Sequence, residues 1–308
     1  MAAIQVWTVG SLLTWTTDYF QKQSIDEPRL SAELLLAHAL SCSRMALYTQ
    51  FERVPPDDHI TAFRELVKQR ARHVPVAYLT GRAWFFSLEF KVTRDVLIPS
   101  PDTETLVEFL LQHARQRSDW SADGSQGAAG PAILDLCTGS GAIAIALAVQ
   151  LPAAQITAVD ISPPALAVAR ENAALHQVTE RVTFLEGDLF APLDKMPAPT
   201  LYHAIVSNPP YIPTAAIPAL PPAVRDHIPR LALDGGADGI AFHRQIAAHA
   251  AKYLHPGGVL AMEMQYDQGP ALQALLAATP QFAPPTRIIR DAAGHPRCIA
   301  AFRPAAGE

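Results

Sequence analysis

Between residues 132 and 263 the sequence alternates short apolar runs with longer amphipathic stretches, and this alternation restricts the fold more than any other feature. The apolar runs predict strands at 133–136, 156–160, 182–186, 204–207 and 259–263. A helix is predicted at Pro163–Leu175, with Ser162 as its cap and Pro163 at its first position. Alternating strands and helices predict a parallel sheet covered by helices on both faces. Two further strands, 287–290 and 297–302, are predicted to end this α/β domain as an antiparallel hairpin.

The first 75 residues predict a small helical bundle instead. Residues 32, 35, 36, 39 and 40 are apolar at helical spacing behind Ser31 as the cap. Residues 60, 63, 67, 71 and 74 form a second apolar stripe. Its other faces carry basic residues that we expect to be solvated, with a docking surface for an acidic or RNA-containing partner as the alternative. These residues are Arg64, Lys68, Arg70 and Arg72.

Residues 76–101 connect this bundle to the α/β domain, which is assigned to 102–308. Their aromatic and β-branched composition predicts a β-hairpin or an extended linker. Asp102 is expected to cap the first helix of the second domain. The polar stretch 118–131, rich in Gly, Ser and Ala, is expected to be a disordered surface loop.

The composition argues against several classes of protein. A net charge of −5 and a pI near 6.1 are unusual for a protein with a large nucleic-acid-binding surface. The cysteines Cys42, Cys137 and Cys298 are scattered without metal-ligand spacing, so we expect no metal site, no disulfide framework and a reducing cytoplasm. The first 20 residues have neither the basic start of a signal peptide nor an uninterrupted apolar span.

Candidate ligand-binding residues follow four predicted strands, at the edge where open α/β sheets bind their ligands. Glycines in the first loop allow a backbone to approach a ligand closely, and the helix that follows offers free N–H groups. A carboxylate after the second strand suits a ribose diol, and Asp188, Leu189 and Phe190 after the third can flank a base. The fourth loop is the turn 207–211. The candidates in the first two loops are Asp135, Cys137, Thr138, Gly139, Ser140, Gly141 and Asp160.

The first two loops alone do not identify a cofactor. Residues 139–144 also fit the pattern Gly-x-Gly-x-x-Gly/Ala, and Asp160 fits the ribose position of NAD as well as that of S-adenosylmethionine. Asp160 and Asp135 can alternatively be capping acids, the one at the surface and the other buried. The turn and the terminal hairpin favour S-adenosylmethionine. A dehydrogenase needs a proton donor or acceptor beside the nicotinamide, whereas a methyl donor needs only an aligned nucleophile.

Asn208 begins a turn whose chemistry suits a planar N–H2 group. Its side-chain carbonyl accepts hydrogen bonds, and its carboxamide does not titrate. Pro209 and Pro210 fix the backbone and remove two donors, so that only carbonyls are presented. Tyr211 adds a flat ring. A proline-rich strand-end turn without a ligand is the plainer alternative for so short a motif.

Together with other segments, these loops resemble the class I S-adenosylmethionine-dependent methyltransferases. Within that class they are most similar to the glutamine methyltransferases that modify peptide-chain release factors. Asn-Pro-Pro-Tyr also occurs in methyltransferases of nucleic-acid bases, whereas residues 98–104 and 233–239 point to release factors. The chain departs from the usual family pattern at Ser100 (usually Arg), Ile228 (usually acidic) and Cys137 (usually Gly). The segments that carry the resemblance are 75–81, 96–104, 134–141, 159–162, 207–212, 233–239 and 291–294.

The resemblance implies a seven-stranded Rossmann-like methyltransferase sheet, preceded by a helical substrate-recognition domain at residues 1–75. The implied reaction moves a methyl group from S-adenosylmethionine to the side-chain amide nitrogen of the glutamine in the Gly-Gly-Gln motif of release factors, leaving S-adenosylhomocysteine. The side-chain carbonyl of Asn208 and the backbone carbonyl of Pro209 would accept the two N–H bonds, with Pro210 and Tyr211 also contacting the substrate. Asn208 and the candidates in the first three loops would contact the cofactor.

Release factors are therefore the expected partners. We expect no contact with membranes or nucleic acid, and a monomer in the cytoplasm. Three alternatives stay open: a methyltransferase of a ribosomal-protein glutamine, a methyltransferase of a nucleic-acid base, and a cofactor-binding module without catalysis.

Overall fold

The computed structural model describes residues 6–117, 120, 130–195 and 200–305. Packing divides the chain into two compact units, Met1–Arg82 with Pro221–His227, and Ala83–Leu220 with Ile228–Glu308. The predicted boundaries at residues 75 and 101 remain a prediction, because packing does not show which segments fold alone. The predicted loop 118–131 lies outside the described residues except for Trp120, Gly130 and Pro131. Of these, Trp120 is buried in the hydrophobic core of the second unit.

The first unit is helical and has a hydrophobic core of its own. Leu13, Phe20, Leu35 and Leu36 are fully buried in it. Thr8 caps the first helix by accepting a hydrogen bond from the Ser11 amide. Its helices are α1 (Val9–Lys22), α2 (Pro28–Ala39), α3 (Arg44–Thr49), α4 (Asp57–Arg70) and α5 (Val76–Thr80).

Two predictions for this unit are wrong. Ser31 does not cap α2, because the helix begins three residues earlier at Pro28, whose fixed φ suits a first helical position. Arg70 is not solvated but only 8% exposed. Its guanidinium donates to the Ser31 hydroxyl and to the Asp26 carbonyl. These two hydrogen bonds connect α4 to the N-terminal end of α2.

The second unit contains a sheet of seven strands within the described chain, in the order β5-β4-β3-β6-β7-β9-β8. Strands β3 to β7 run parallel, and β9 is antiparallel to both β7 and β8. The predicted fold class is therefore confirmed. The elements are β1 (Arg82–Phe85), β2 (Leu88–Lys91), α6 (Pro101–Arg115), β3 (Ala132–Leu136), α7 (Ala142–Gln150), β4 (Gln155–Asp160), α8 (Pro163–Leu175), β5 (Val182–Glu186), β6 (Tyr202–Ser207), α9 (Pro222–Arg225, part of the first unit), α10 (Ala241–Tyr253), β7 (Leu254–Glu263), α11 (Gly269–Ala277), β8 (Ala283–Arg290) and β9 (Pro296–Phe302).

Burial explains why these residues form this sheet. Ile133, Leu134 and Leu136 of β3 are fully buried at the centre of the sheet. Nearly all residues of the helix α7, which packs against the sheet, are buried as well. Pairing in register sets Leu136 beside Val159 on one side and Ser207 on the other, which brings three strand ends to one edge.

Helix α6 begins differently from the prediction. Ser100, not Asp102, is its cap, and its hydroxyl accepts a hydrogen bond from the Asp102 amide at 3.2 Å. Pro101 takes the first helical position, which moves the cap one residue upstream of it. The predicted hairpin is present as β1 and β2, and the Phe86 amide at its turn donates to the Glu104 carboxylate of α6 at 2.7 Å. None of the described helices is both long and apolar enough to cross a membrane.

Candidate active site

A cavity of about 360 Å³ lies at the carboxyl ends of the parallel strands in the second unit. Nine of the thirteen residues predicted for the site line it: Cys137, Thr138, Gly139, Ser140, Asp160, Asp188, Leu189, Asn208 and Pro210. Asp135, Gly141, Pro209 and Tyr211 lie next to these but are not part of the wall. Its volume is in the range of pockets that hold a small-molecule ligand.

The loop after β3 follows a backbone path that only small or tolerant residues adopt. Gly139 and Gly141 have φ angles of +56° and +81°, and Cys137 has +61°. A Cβ on Gly141 would lie 2.9 Å from the Ile145 side chain and 3.2 Å from Ala169 Cβ, so glycine lets the loop pack tightly on α7 and α8. Cys137 occupies a left-handed conformation that is more natural for glycine. Burial raises the pKa of its thiol, which keeps it protonated.

Asp160 holds the end of β4 to this loop. Its two oxygens accept hydrogen bonds from the Gly139 amide at 2.8 Å and the Ser162 amide at 2.9 Å. Burial raises the pKa of this carboxyl, and the two amides partly oppose that effect. Each carboxylate oxygen has further acceptor capacity, so Asp160 is placed to bind hydroxyl groups in the cavity.

Asp135 is fully buried behind the wall. It accepts a hydrogen bond from the Thr138 hydroxyl at 2.6 Å, and burial raises its pKa to about 7. Its contribution to the cavity therefore passes through Thr138. Ser207, at the end of β6, is buried as well and donates to the Leu136 carbonyl at 2.8 Å.

The loop after β5 contributes Asp188 and Leu189 to the wall, with Leu189 at a φ of +45°. Phe190 does not flank the cavity as predicted. Its ring stacks on Tyr253 with centroids 4.9 Å apart, inside a hydrophobic core of the second unit. Of the three residues expected to flank a base, only the polar Asp188 and the apolar Leu189 line the cavity.

In the Asn208 turn, the side-chain amide of Asn208 is held by a hydrogen bond at its nitrogen end. Asn208 Nδ2 donates to the Thr103 hydroxyl of α6 at 3.1 Å. Its Oδ1 accepts no hydrogen bond from the residues that the structure describes, so it can accept one from a ligand. The ring of Tyr211 is held at its far end, because the hydroxyl donates to Glu263 Oε1 at 3.3 Å. Burial and Glu263 raise the pKa of Tyr211, which stays neutral.

Segment 233–239 supports the turn from behind. The Ile212 amide donates to the Leu233 carbonyl at 2.9 Å, and the Gly235 amide donates to the Ile212 carbonyl at 2.8 Å. A Cβ on Gly235 would lie 2.8 Å from both the Pro210 carbonyl oxygen and Tyr211 Cα. Gln268 also donates to the Tyr211 carbonyl at 2.8 Å. The approach is so close that only glycine fits at 235.

Sequence reasoning missed several residues of the site. Thr103 and Glu263 were not singled out for any role. The wall also contains Val96, Leu97, Leu231, Phe242 and Gln245, whose apolar or neutral side chains carry no sequence signature. The Gly235-Gly236 pair was visible, and close backbone approach could have been inferred from it. The described residues contain no group of three or more His, Cys, Asp or Glu side chains that could hold a metal ion.

Both units of the chain match domains of known protein families. Residues 11–81 match the PrmC N-terminal domain, and residues 128–283 match a methyltransferase domain. A release factor glutamine methyltransferase of Geobacter sulfurreducens is 42% identical, with 89% of this chain and 90% of the relative covered. One of Rhodopirellula baltica is 40% identical, with 95% of each chain covered.

A more distant similarity concerns the fold alone. The solved structure of the hMettl16 catalytic domain in complex with MAT2A 3'UTR hairpin 6 is 13% identical. The similarity covers 70% of this chain and 76% of that one, with a TM-score of 0.51.

Proposed function

Since the chain belongs to the release factor glutamine methyltransferases, we propose that the Asn208 turn holds the side-chain amide of the substrate glutamine. The enzyme transfers a methyl group from S-adenosylmethionine to that amide nitrogen in a release factor. The observation that carries the assignment of the turn is the uncommitted Oδ1 of Asn208 on the cavity wall, held in place by Thr103. We take the glutamine to be that of the Gly-Gly-Gln motif.

The residues around the cavity suit the cofactor. Asp160 offers acceptor capacity for a ribose diol, the backbone of Cys137, Thr138, Gly139 and Ser140 lies open for close approach, and Asp188 and Leu189 border the far wall. Gly141 and Asp135 support this surface from behind. When bound, S-adenosylmethionine supplies an electrophilic methyl group and leaves as S-adenosylhomocysteine.

The amide nitrogen of glutamine is a poor nucleophile, because its lone pair is delocalised into the carbonyl. Asn208 Oδ1 and the Pro209 carbonyl would accept its two N–H bonds and orient the nitrogen. Orientation of this kind lowers barriers by at most roughly 7–11 kcal/mol. The same oxygens stabilise positive charge as it develops on nitrogen, so no general base is required during the transfer. The methylated nitrogen then loses one proton to solvent, which gives the neutral N-methyl amide. The Tyr211 ring would pack against the amide plane, since its hydroxyl is already held by Glu263.

The remaining assignments follow from the same family. The N-terminal helices, residues 1–75, would bind the release factor away from the chemistry, with the hairpin region 76–101 leading into the catalytic domain 102–308. Asn208, Pro209, Pro210 and Tyr211 would form the substrate pocket. The enzyme would act as a monomer in the cytoplasm without binding nucleic acid, in keeping with its acidic composition.

The test is a methylation assay with isotope-labelled S-adenosylmethionine, a purified release factor and its Gly-Gly-Gln glutamine→Ala variant. We expect label in the wild-type factor only, and mass spectrometry should place it on that glutamine. Label that persists in the alanine variant, or that is transferred to RNA or to a ribosomal protein in its place, would contradict the proposal.

A further inference from the structure

Asn208 is held by a side chain from another element, Thr103 of α6. Its Nδ2 donates to the Thr103 hydroxyl, which lies in the first turn of α6 and is 4% exposed. The Thr103 hydroxyl lies close enough to Glu263, at the end of β7, to lower the pKa of that carboxyl. Tyr211 donates to the same carboxylate from the other side of the turn. Glu263 therefore lies next to both Thr103, which holds Asn208, and Tyr211.

The direction of these hydrogen bonds decides which end of the Asn208 amide faces the cavity. A carboxamide can present either its oxygen or its N–H2 group, and the two orientations are nearly equal in shape. Only the oxygen can accept an N–H bond of a substrate amide. Thr103 Oγ1 accepts from Asn208 Nδ2, which leaves the Asn208 oxygen for the cavity, and a carboxylate beside Thr103 favours this arrangement because it attracts the hydroxyl proton.

An ionised carboxylate suits this purpose because it accepts only and never donates. Glu263 is 2% exposed, and burying an ionised carboxylate costs free energy unless other groups pair with it or donate hydrogen bonds to it. Arg297, whose charge lowers the pKa of Glu263, forms its ion pairs with Asp102 and Asp291. The backbone carbonyl of Glu263 is anchored separately, at 2.8 Å from His243 Nε2. The position of Glu263 is thus fixed by β7 and α10, while its carboxylate remains for Thr103 and Tyr211.

We propose that Thr103 and Glu263 are positioning residues for methyl transfer, which turn the Asn208 carbonyl toward the substrate amide and hold the Tyr211 ring beside it. This inference rests on the proposed role of the Asn208 turn. Neither residue touches the reacting atoms. Both act through the two residues that do.

The first test compares three threonine variants with the release factor as substrate. Thr103→Val removes the acceptor for Asn208 Nδ2 with little change of shape, and it should lower kcat roughly tenfold or more while cofactor affinity stays within about threefold. Thr103→Ser keeps the hydroxyl and should retain kcat within about threefold. Thr105→Val is the matched control on the same helix, since Thr105 is also buried but lies outside the cavity wall, and it should behave as wild type.

The second test uses pH. Burial raises the pKa of Glu263 to about 7, so on the acid side of neutrality its ionised form, which only accepts, is replaced by a protonated carboxyl that can also donate. Wild-type kcat should therefore fall below pH 7, and Glu263→Gln should have a lower kcat with no such limb. The titratable or charged groups that face Glu263 are Asp102 on α6, Tyr211 after β6, His243 on α10, and Arg297 and Cys298 on β9.

The outcomes separate this inference from the proposed function. If the wild-type enzyme does not methylate the release factor, the proposed function fails. If it does, and Thr103→Val has wild-type kcat or loses it only in parallel with Thr105→Val, the positioning role of Thr103 is refuted. An unchanged acid limb in Glu263→Gln refutes the role of Glu263.

Discussion

Replacing Gly235 with alanine should damage catalysis while leaving Asp160 and the loop after β3 in place. The new Cβ would lie 2.7 Å from the Gly239 carbonyl oxygen and 2.8 Å from the Pro210 carbonyl oxygen and Tyr211 Cα. All three are backbone atoms, so no flexible side chain can move aside. Reaching ordinary contact would require the two segments to separate by roughly 0.6 Å, with a loss of stability of about 1–3 kcal/mol.

That displacement falls on the turn that carries Asn208. Because misplacement by about 1 Å can reduce a rate by roughly 10²-fold, we expect kcat to fall about tenfold in Gly235→Ala. Cofactor affinity should stay within about threefold, because the loop after β3 and Asp160 are not displaced. The assay is steady-state methylation of a release factor, with isothermal titration for the cofactor and thermal unfolding for stability.

Gly269→Ala is the matched control. Gly269 begins α11 and has no left-handed φ, and its added Cβ would meet only side chains at 3.5 Å and 3.6 Å. It should leave kcat unchanged and be neutral or slightly stabilising. Wild-type kcat in Gly235→Ala, or a loss explained wholly by weaker cofactor binding, would refute the reasoning.

Three further predictions concern Asp160, Cys137 and Asp135. Asp160→Ala should weaken binding of S-adenosylmethionine about 10- to 100-fold in isothermal titration, since a ribose acceptor is lost; an unchanged Kd would place the ribose elsewhere. Cys137→Gly should unfold at the same temperature as wild type or slightly above it. Cys137→Val should lose about 2 kcal/mol of the free energy of unfolding, because a β-branched residue tolerates a φ of +61° poorly. Equal melting temperatures for the two variants would argue against strain at this position. The pKa of Asp135 is raised from 3.8 to about 7, so its contribution to the free energy of unfolding should be largest below pH 3.8 and decline by at most roughly 4 kcal/mol as the pH rises to about 7. In denaturant titrations at several pH values, the wild type should lose stability relative to Asp135→Asn over this range; a stability difference that does not change with pH would contradict the assignment.

The sheet was predictable because its strands are short apolar runs with few interruptions. Predicted and observed bounds are identical for β5 and differ by one or two residues for β3, β4 and β6. The starts of β7 and β8 were missed, since β7 begins with Leu254, His255, Pro256 and two glycines, and β8 contains Pro284 and Pro285. Prolines suppress a strand signal, yet β8 lies at the edge of the sheet, where they are tolerated.

The helix starts show the limits of local rules. Ser162 caps α8 as predicted, by accepting a hydrogen bond from the Ala165 amide. Ser31 and Asp102 were chosen wrongly because a proline nearby takes the first helical position and shifts the start upstream. A cap residue and a proline at the first position are separate signals, and here the proline decided the start.

The candidate site was predictable where its residues lie in one loop, and not where they meet across the fold. Gly139, Asp160 and Asn208 each follow a strand, so the topology of a parallel sheet brings them together. Thr103 and Asn208 are 105 positions apart, and Tyr211 and Glu263 are 52 apart. No spacing in a single sequence indicates such pairs, because they arise from how α6 and β7 pack beside the turn.

The most direct measurement of the central claim is the catalytic rate of Asn208→Ala with a release factor, taken together with its affinity for S-adenosylmethionine. We expect kcat to fall by about 10²- to 10³-fold, because one of the two acceptors that orient the amide is lost, while the Kd of the cofactor stays within about threefold. Turnover at the wild-type rate would contradict the claim that this side chain holds the substrate glutamine.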